Sequence, residues 1–291
     1  MNPVFALNWV CNINRVCVMG ILNVTPDSFS DGGRFLDKTR AVQRAVDMVA
    51  EGADIIDVGG ISTRPGSEAV DVEEELRRVL PVVEALSGKI DVPVSVDTYR
   101  AVVAEAALSA GASIINDISA MQFDPEMAAV VAKSDAGIVL MHIKGTPKDM
   151  QLNPVYGDVV EEVCTYLRQR SDAAQRAGIA ASRIIVDPGL GFGKTLEHNL
   201  SLINNLGRLK DLGHPILIGP SRKAFVGHIT NVAAPGDRLM GSAAAVAISV
   251  YNGASVVRVH DVREMVQVVR AVEAIKAQEC PTHLTSPLQL G

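Results

Sequence analysis

The sequence lacks several features that mark whole classes of proteins. Its few cysteines show neither a CxxC pair nor metal-ligand spacing, which favours reduced thiols in a cytoplasmic protein: Cys11, Cys17, Cys164 and Cys280. No segment approaches the ~20 consecutive apolar residues that cross a membrane. Basic residues are outnumbered, 27 against 33 acidic ones, and the net charge of −6 argues against a nucleic-acid or anionic-membrane partner. A local basic pocket for a small anion is compatible with this charge.

The bulk composition is that of an ordinary folded enzyme. Hydrophobic residues make up 48% of the 291 positions and charged residues 21%, values typical of globular domains. No low-complexity linker divides the chain, so a single domain over residues 1–291 is expected. The length suits the roughly 250 residues of an eight-stranded α/β barrel with short tails.

Eight short runs rich in β-branched residues each lead into a polar residue. Amphipathic helical stretches mostly alternate with these runs, as in a (β/α)8 TIM barrel, where every strand delivers its carboxyl end to one rim. The polar residues at the eight ends would form a ring there: Asn23, Asp57, Asp97, Asp117, His142, Asp187, Ser221 and His260. The sequence therefore predicts an α/β fold, a single TIM barrel, with its functional site at this rim.

Capping residues predict where the helices begin and end. Asp37 is a candidate N-cap for KTRAVQRAVDMVAE. Gly52, Gly111, Gly137 and Gly253 are candidate helix ends directly before a strand. After the seventh strand, the segment KAFVGHI predicts a short additional helix.

The two ends of the chain are expected to lie outside the barrel, which should span about residues 16–279. Residues 1–10, MNPVFALNWV, are apolar, but no basic segment precedes them and Asn12 and Asn14 follow, which argues against a signal peptide. A short N-terminal hairpin plugging the bottom of the barrel is expected instead. Residues 280–291 are expected to form a loose tail.

Two connections, residues 23–36 after the first strand and 59–70 after the second, are long and rich in Gly, Pro, Ser and Thr. Loops of this length on a compact scaffold are usually either functional or disordered. Their content, NVTPDSFSDGG and STRPGS, supplies amide, hydroxyl and guanidinium groups suited to an anion. A functional interpretation is therefore favoured over a floppy surface.

The segment MGILNVTPDSFSDGG, residues 19–33, resembles the signature of the dihydropteroate synthase family. Further segments resemble that family in its own order: VGGISTRPGS, VSVDT, IINDIS, MHIKGTPKDMQLNP, DPGLGFGKT, PSRKAFVG and VVRVHD. The resemblance covers the chain from about Met19 to the final helix. It implies a folate-pathway transferase that joins 6-hydroxymethyl-7,8-dihydropterin diphosphate to p-aminobenzoate, giving 7,8-dihydropteroate and pyrophosphate. It also implies inhibition by sulfonamides and a homodimer packed through helices near the C-terminal part of the barrel.

A pterin presents an edge of alternating donors and acceptors, which buried carboxylates and an amide can read because an unmatched buried polar group costs ~1–3 kcal/mol. The resemblance implies this role for Asp97, Asn116 and Asp187. A lone Asp at a strand end is about as often a helix cap or loop brace, but three together favour a site. By the same resemblance Asp97, Asp187 and Lys223 are the expected catalytic residues.

Other pterin contacts follow from the resemblance alone. Arg258 would stack its planar guanidinium on the ring, and Lys223 would lie between the two substrates. The apolar walls would come from residues that on sequence are more often plain core: Ile118, Met141 and Phe192.

The leaving pyrophosphate needs positive charge. The resemblance implies as its ligands Asn23, Arg64, Arg258 and His260. Asn23 would also bind Mg²⁺, which usually takes one or two protein oxygens and completes its shell with water and phosphate. His142 is interpreted as a structural histidine.

The p-aminobenzoate site is expected to involve Phe29, Thr63, Pro65, Lys223 and Ala224. The chain departs from the family pattern at two positions, Ile61 in place of an acidic residue and Ala224 in place of a serine that is often found there. Ala224 would leave the p-aminobenzoate carboxylate to backbone N–H groups, so weaker binding of this substrate is expected.

Two other functions fit parts of the pattern. A methyltetrahydrofolate-dependent corrinoid methyltransferase shares the barrel and pterin-reading residues, but has no need of the DSFSDGG, STRPG and SRK segments present here. A non-catalytic pterin-binding barrel would bind the pterin without releasing pyrophosphate.

Overall fold

The computed structural model describes residues 15–25, 34–62 and 70–278, with side chains from residue 38 onward in the second range. The expected N-terminal hairpin and C-terminal tail lie outside these residues. Eight strands are present in the described part: β1 Cys17–Asn23, β2 Ile55–Gly59, β3 Val94–Asp97, β4 Ile114–Asp117, β5 Gly137–Met141, β6 Ile184–Asp187, β7 Leu217–Ile218 and β8 Val256–Val259.

Helices follow the strands throughout the described part. They are α1 Arg34–Ala50, α2 Val72–Leu86, α3 Ala101–Ser109, α4 Met127–Ala132, α5 Val159–Arg176, α6 Leu196–Asn204, α7 Ala224–Thr230, α8 Leu239–Asn252 and α9 Val262–Ala277. The short additional helix predicted after the seventh strand is α7.

The strands pair in parallel in the order β6-β5-β4-β3-β2-β1-β8-β7. The two end strands meet through a parallel bridge between Val186 and Ile216, and the Val186 N–H donates to the Pro215 carbonyl at 3.0 Å. This contact closes the sheet on itself, and the predicted TIM barrel is confirmed.

Successive side chains of each strand point alternately into the barrel and out towards the helices. The inward-facing ones form an apolar floor in the lower part of the barrel and a polar mouth near the carboxyl ends of the strands. Inward-facing side chains of the lower part form one fully buried cluster: Cys17, Met19, Ile55, Ile114, Val139, Ile185, Leu217 and Val256. One inward position further along several strands, the side chains become polar, with Asp57, Ser95 and Asn116 all buried. The outward faces of the strands pack against the helices in the main core. The fold therefore leaves one apolar-floored mouth at the carboxyl ends of the strands.

Several predicted boundaries shift. Helix α1 begins at Arg34, so the prediction that Asp37 caps it is wrong. Gly52, Gly111 and Gly253 have positive φ as predicted, whereas Gly137 does not end a helix but begins β5.

One helix was not predicted at all. Helix α6 starts with a capping box, in which Thr195 Oγ1 accepts the His198 N–H and His198 Nδ1 accepts the Thr195 N–H. The usual residue at the third position of a capping box is Glu or Gln. Because His198 stands there, the sequence did not show the usual pattern for the start of a helix.

No helix in the described ranges is long and apolar enough to cross a membrane.

Candidate active site

The predicted site residues that the structure describes gather at the mouth of the barrel. Four others lie outside the described residues: Phe29, Thr63, Arg64 and Pro65. The described ones come from different strands and loops, so the site exists only in the folded chain.

A buried polar network crosses one side of the mouth. The Arg258 guanidinium donates from Nε to Asp57 Oδ2 at 2.6 Å and from Nη2 to Asp97 Oδ2 at 2.7 Å. Asn116 donates from Nδ2 to the same Asp57 oxygen at 3.1 Å. Asp57 is fully buried, and Asp97 and Asn116 are nearly so. The structure thus brings three predicted pterin residues together with Asp57, a member of the predicted polar ring that was given no specific role.

Burial and neighbouring charges shift the acidity of this network. Burial raises the pKa of Asp97 to about 7, although Arg258 opposes this and Asp57 adds to it. Burial lowers the pKa of Arg258, but the carboxylates of Asp57 and Asp97 outweigh it and leave that pKa raised. Arg258 therefore stays charged, and the Asp97 carboxyl is less acidic than an exposed one.

The opposite side of the mouth carries Asp187 and Lys223. Burial raises the pKa of Asp187 despite the Gly189 N–H, which donates to Asp187 Oδ1 at 2.7 Å. Burial lowers the pKa of Lys223 to about 8, opposed chiefly by Asp187. Lys223 Nζ also donates to the Leu190 carbonyl and lies 4.5 Å from the centre of the Phe192 ring. A carboxylate and an amine of lowered basicity thus stand beside an aromatic face.

The predicted apolar walls belong to one small cluster of their own. Ile118 and Met141 are buried in it together with Ile143 and Met150, and Phe192 packs against it. This cluster is separate from the barrel floor and from the main core. Through Phe192 it adjoins Lys223, whose Nζ lies 4.5 Å from the centre of the Phe192 ring, and its apolar side chains suit the faces of a flat ring.

Glycines set the path of the loop that carries Phe192. Gly189 has φ +68°, and a Cβ there would lie 2.0 Å from the His142 carbonyl oxygen. Gly191 has φ +79°, and a Cβ there would lie 3.3 Å from the Lys223 Cδ atom. Only glycine combines these conformations with so close an approach, and the loop therefore lies directly against β5 and Lys223.

His142 is tied into the scaffold below this loop. Its Nδ1 lies 2.9 Å from Lys194 Nζ, and Tyr166 meets its ring edge to face at 4.7 Å. Burial, reinforced by Lys194, lowers the pKa of His142. Burial also lowers the pKa of Lys194 well below its usual value.

His260 and Asn23 lie at the ends of neighbouring strands. His260 Nδ1 is 3.0 Å from Ser221 Oγ, which also accepts the His260 N–H at 3.2 Å. A Cβ on Gly59 would lie 3.6 Å from Asn23 Oδ1 and 3.7 Å from the Asp97 Cβ, so these two side chains border the same glycine. In the described residues, no group of three or more His, Cys, Asp or Glu side chains could hold a metal ion. A single Asn oxygen fits an ion that draws its other ligands from water and phosphate.

Sequence analysis placed Asp57 at a strand end and gave it no role. Strand β2 instead continues to Gly59, so Asp57 lies inside the barrel, paired in register with Ile21 and Ser95. The sequence did contain a hint of a role for Asp57. A carboxylate within an otherwise apolar strand, two residues before a Gly-Gly pair, contributes nothing to an apolar core. Of the two departures from the family pattern, Ile61 is buried and Ala224 is exposed at the start of α7.

Comparison with known proteins agrees with this geometry. A family model described as "Pterin binding enzyme" matches residues 19–260. The dihydropteroate synthase of Synechocystis sp. is 48% identical over 261 residues, 90% of each chain. The structure of Xanthomonas albilineans dihydropteroate synthase with 4-aminobenzoic acid superposes with a TM-score of 0.86 at 46% identity, covering 91% of this chain and 94% of that one. The structure of Yersinia pestis dihydropteroate synthase with a sulfonamide drug superposes with a TM-score of 0.86 at 44% identity, covering 92% of this chain and 96% of that one.

The matched segment runs from β1 to the end of β8 and contains both polar groups of the mouth and the predicted apolar walls. Relatives of this similarity cover nearly the whole described barrel. The chain belongs to the dihydropteroate synthase family of pterin-binding transferases.

Proposed function

We propose that this chain condenses 6-hydroxymethyl-7,8-dihydropterin diphosphate with p-aminobenzoate at the mouth of its barrel, with Asp97, Asp187 and Lys223 as catalytic residues. The observation that carries the proposal is the presence at the mouth of two buried polar groups, one of Asp57, Asp97, Asn116 and Arg258 and the other of Asp187 and Lys223. The relatives described above are all named dihydropteroate synthases, which favours this reaction over corrinoid methyl transfer.

The pterin would lie between the two polar groups. Asp97 and Asn116 would read one part of its edge, and Asp187 the other. All three are nearly buried, so a ring that left their polar atoms unmatched would bind poorly. Arg258 would cover one face of the ring, and Met141 and Phe192 would contribute apolar contacts.

The reaction replaces one bond at the exocyclic methylene. The C–O bond to pyrophosphate breaks first, and the electron pair leaves with the pyrophosphate. Arg64, Arg258 and His260 would neutralise the departing charge, while the Asp97 carboxylate would stabilise the resulting pterin cation. The amine lone pair of p-aminobenzoate then forms the C–N bond and its proton passes to solvent. No general base is required, because an arylamine is unprotonated at neutral pH, so positioning and charge placement supply the catalysis.

Replacing Asp97 or Lys223 with Ala should lower kcat/KM by roughly 100-fold or more, since each removes a charge that acts on the reacting groups. The measurement is pyrophosphate release that depends on p-aminobenzoate, with dihydropteroate identified as the product. Asp91→Ala, at an exposed position before β3, is the matched control and should retain wild-type rates. Pyrophosphate release independent of p-aminobenzoate, or pterin binding without release, would contradict the proposed function. Near-normal turnover in either Ala variant, with a folded circular dichroism spectrum, would remove that residue from the mechanism.

Mg²⁺ is part of the proposal, with Asn23 as its protein ligand and Arg64 and His260 beside the same phosphates. When bound, it would neutralise the pyrophosphate oxygens as charge develops on them. The support is the position of Asn23 at the mouth, bordering Gly59 with Asp97.

Treatment with EDTA should abolish pyrophosphate release, and Mg²⁺ should restore it. Asn23→Ala should raise the Mg²⁺ concentration needed for half-maximal rate by about tenfold, the lower end of the cost of perturbing a metal site. Asn12→Ala, in a segment to which no substrate contact is assigned, serves as control. An unchanged Mg²⁺ requirement in Asn23→Ala would show that the ion is held elsewhere.

The p-aminobenzoate site is proposed to combine Lys223 and the start of α7 with residues of the first two loops, Phe29, Thr63 and Pro65. Ala224 occupies the first position of α7 and is exposed, so a serine hydroxyl there would have room to donate to the substrate carboxylate. Sulfonamides are proposed to compete for this site, in keeping with the Yersinia pestis complex.

Ala224→Ser should lower the KM for p-aminobenzoate several-fold, because a hydrogen bond to a charged group contributes ~1.5–3 kcal/mol and part of that is offset by ordering the hydroxyl. The KM for the pterin diphosphate should not change. Ala224→Val, which adds bulk without a donor, is the control. A KM for p-aminobenzoate that stays constant or rises in the Ser variant would contradict this interpretation.

We also propose that the chain forms a homodimer through α8. Met240, Ala244, Ile248 and Tyr251 follow one another at helical spacing along its outer face. Met240 is 79% exposed, Ile248 52% and Tyr251 60%, which is unusual for large apolar side chains on one stripe. The small side chain of Ala244 would let two such helices approach closely.

Sedimentation velocity should give about twice the chain mass of 30.9 kDa for the wild type. Ile248→Asp should shift the protein to the monomer, because it buries an unpaired charge at the contact. Val102→Asp, at a 49% exposed position on α3, carries the same change on another surface and should stay dimeric. A wild-type monomer, or an Ile248→Asp dimer, would contradict the proposed interface.

The cytoplasm is the proposed location. Within the described ranges Cys164 is a buried free thiol, which suits a reducing compartment.

A further inference from the structure

Asp57 is a buried carboxylate of the mouth that the mechanism above does not use. It lies inside the barrel on β2, fully buried. Its Oδ2 atom accepts two hydrogen bonds, from Arg258 Nε at 2.6 Å and from Asn116 Nδ2 at 3.1 Å. Both donors belong to residues proposed above to bind the pterin.

We propose that Asp57 is a positioning residue that fixes the orientation of the Asn116 amide and the Arg258 guanidinium for pterin recognition. This inference rests on the proposed function, since it assigns the pterin to the same mouth. Asp57 itself need not touch the substrate.

The effect on Asn116 follows from donor and acceptor chemistry. An ionised carboxylate only accepts hydrogen bonds, so Asn116 must turn its NH₂ group towards Asp57. The amide oxygen then points away from Asp57 and is the group that Asn116 can offer as an acceptor. Without Asp57 the amide could rotate by 180°, and the site would then present a donor where the pterin also has one. Asp57 thereby decides which edge of a heterocycle the site accepts.

Asp57 also fixes the orientation of the planar Arg258 guanidinium. Two carboxylates on adjacent strands, Asp57 on β2 and Asp97 on β3, hold it at Nε and Nη2. Two anchors define the orientation of a planar group, whereas one leaves it free to swing. Arg258 engages Asp97 through a single oxygen, Oδ2, so Asp57 also limits how much of the Asp97 carboxylate the guanidinium occupies.

A purely structural role for Asp57 is disfavoured by its surroundings. Its Oδ1 atom is buried without a hydrogen-bond partner in the described part of the chain. A buried carboxylate is costly, and a well-packed apolar residue often serves the fold equally well. The floor directly below is filled by apolar side chains. We therefore assign Asp57 the role of holding its two donors, Asn116 and Arg258, and not a role in stabilising the fold.

The test compares Asp57→Ala and Asp57→Asn with the wild type in turnover and in calorimetric binding of 6-hydroxymethyl-7,8-dihydropterin. Asp57→Ala should lower kcat/KM for the pterin diphosphate and weaken pterin binding by about 10- to 100-fold, the range for losing hydrogen bonds to a charged group. The KM for p-aminobenzoate should stay within about twofold. Asp57→Asn keeps an acceptor but loses the charge, so about a tenfold loss is expected.

Ser95→Ala is the matched control. Ser95 on β3 pairs in register with Asp57 and is equally buried, yet its hydroxyl has no hydrogen-bond partner in the described residues. It should stay within about twofold of the wild type. If Ser95→Ala lost as much pterin affinity as Asp57→Ala, packing of this layer would explain the loss and the inference would fail.

A double-mutant cycle separates positioning from general damage. In an Asn116→Ala background, Asp57→Ala should reduce pterin affinity by a smaller factor than it does in the wild type. One of the two side chains that Asp57 positions is already absent there. Fully additive losses would overturn the inference. If Asp57→Ala does not fold, the near-isosteric Asp57→Asn decides in the same cycle.

The outcomes also distinguish this inference from the function it rests on. An active wild type with an equally active Asp57→Ala would overturn the positioning role and leave the synthase activity intact. A wild type that neither releases pyrophosphate nor binds the pterin would overturn both.

Discussion

Two buried carboxylates, Asp57 and Asp97, share the guanidinium of Arg258 at the mouth of the barrel. Each of the three charges would be costly alone in an apolar barrel, and together they hold one another in place. Asn116 is then oriented by Asp57, and the acidity of Asp97 is set by burial against the pull of Arg258. Most of what the mouth can recognise on this side depends on that shared cation.

The other side of the mouth depends on backbone instead of charge. The loop after β6 can lie against His142 and Lys223 only because Gly189 and Gly191 adopt positive φ without a Cβ. That path brings the Phe192 ring beside the Lys223 ammonium, and it lets the Gly189 N–H hold Asp187. One side of the mouth is thus held by ion pairs and the other by the backbone path of a glycine-containing loop.

The barrel was predictable because each β-branched run and its polar end follow from the chemistry of buried parallel strands. This pattern of a β-branched run followed by a polar residue does not show which of the polar side chains point into the barrel. Asp117, next to Asn116, turns outward, where its carboxylate accepts the Ser119 and Met121 N–H groups. Asp57 was misjudged because the sequence did not reveal that β2 continues for two more residues. The pairing of Lys194 with His142 joins residues 52 positions apart, which only the folded chain reveals.

The filled floor of the barrel has a kinetic consequence. Below Asp57 and Asn116 the interior of the described barrel is filled by eight side chains with no exposed surface, so no passage leads through this floor. A pterin seated on Asp97, Asn116 and Asp187 would lie beneath the position assigned to p-aminobenzoate near α7. Whichever substrate lies deeper has to enter first, and the joined product has to leave by the way both came in. With the floor closed, the proposed arrangement would have the pterin bind before p-aminobenzoate.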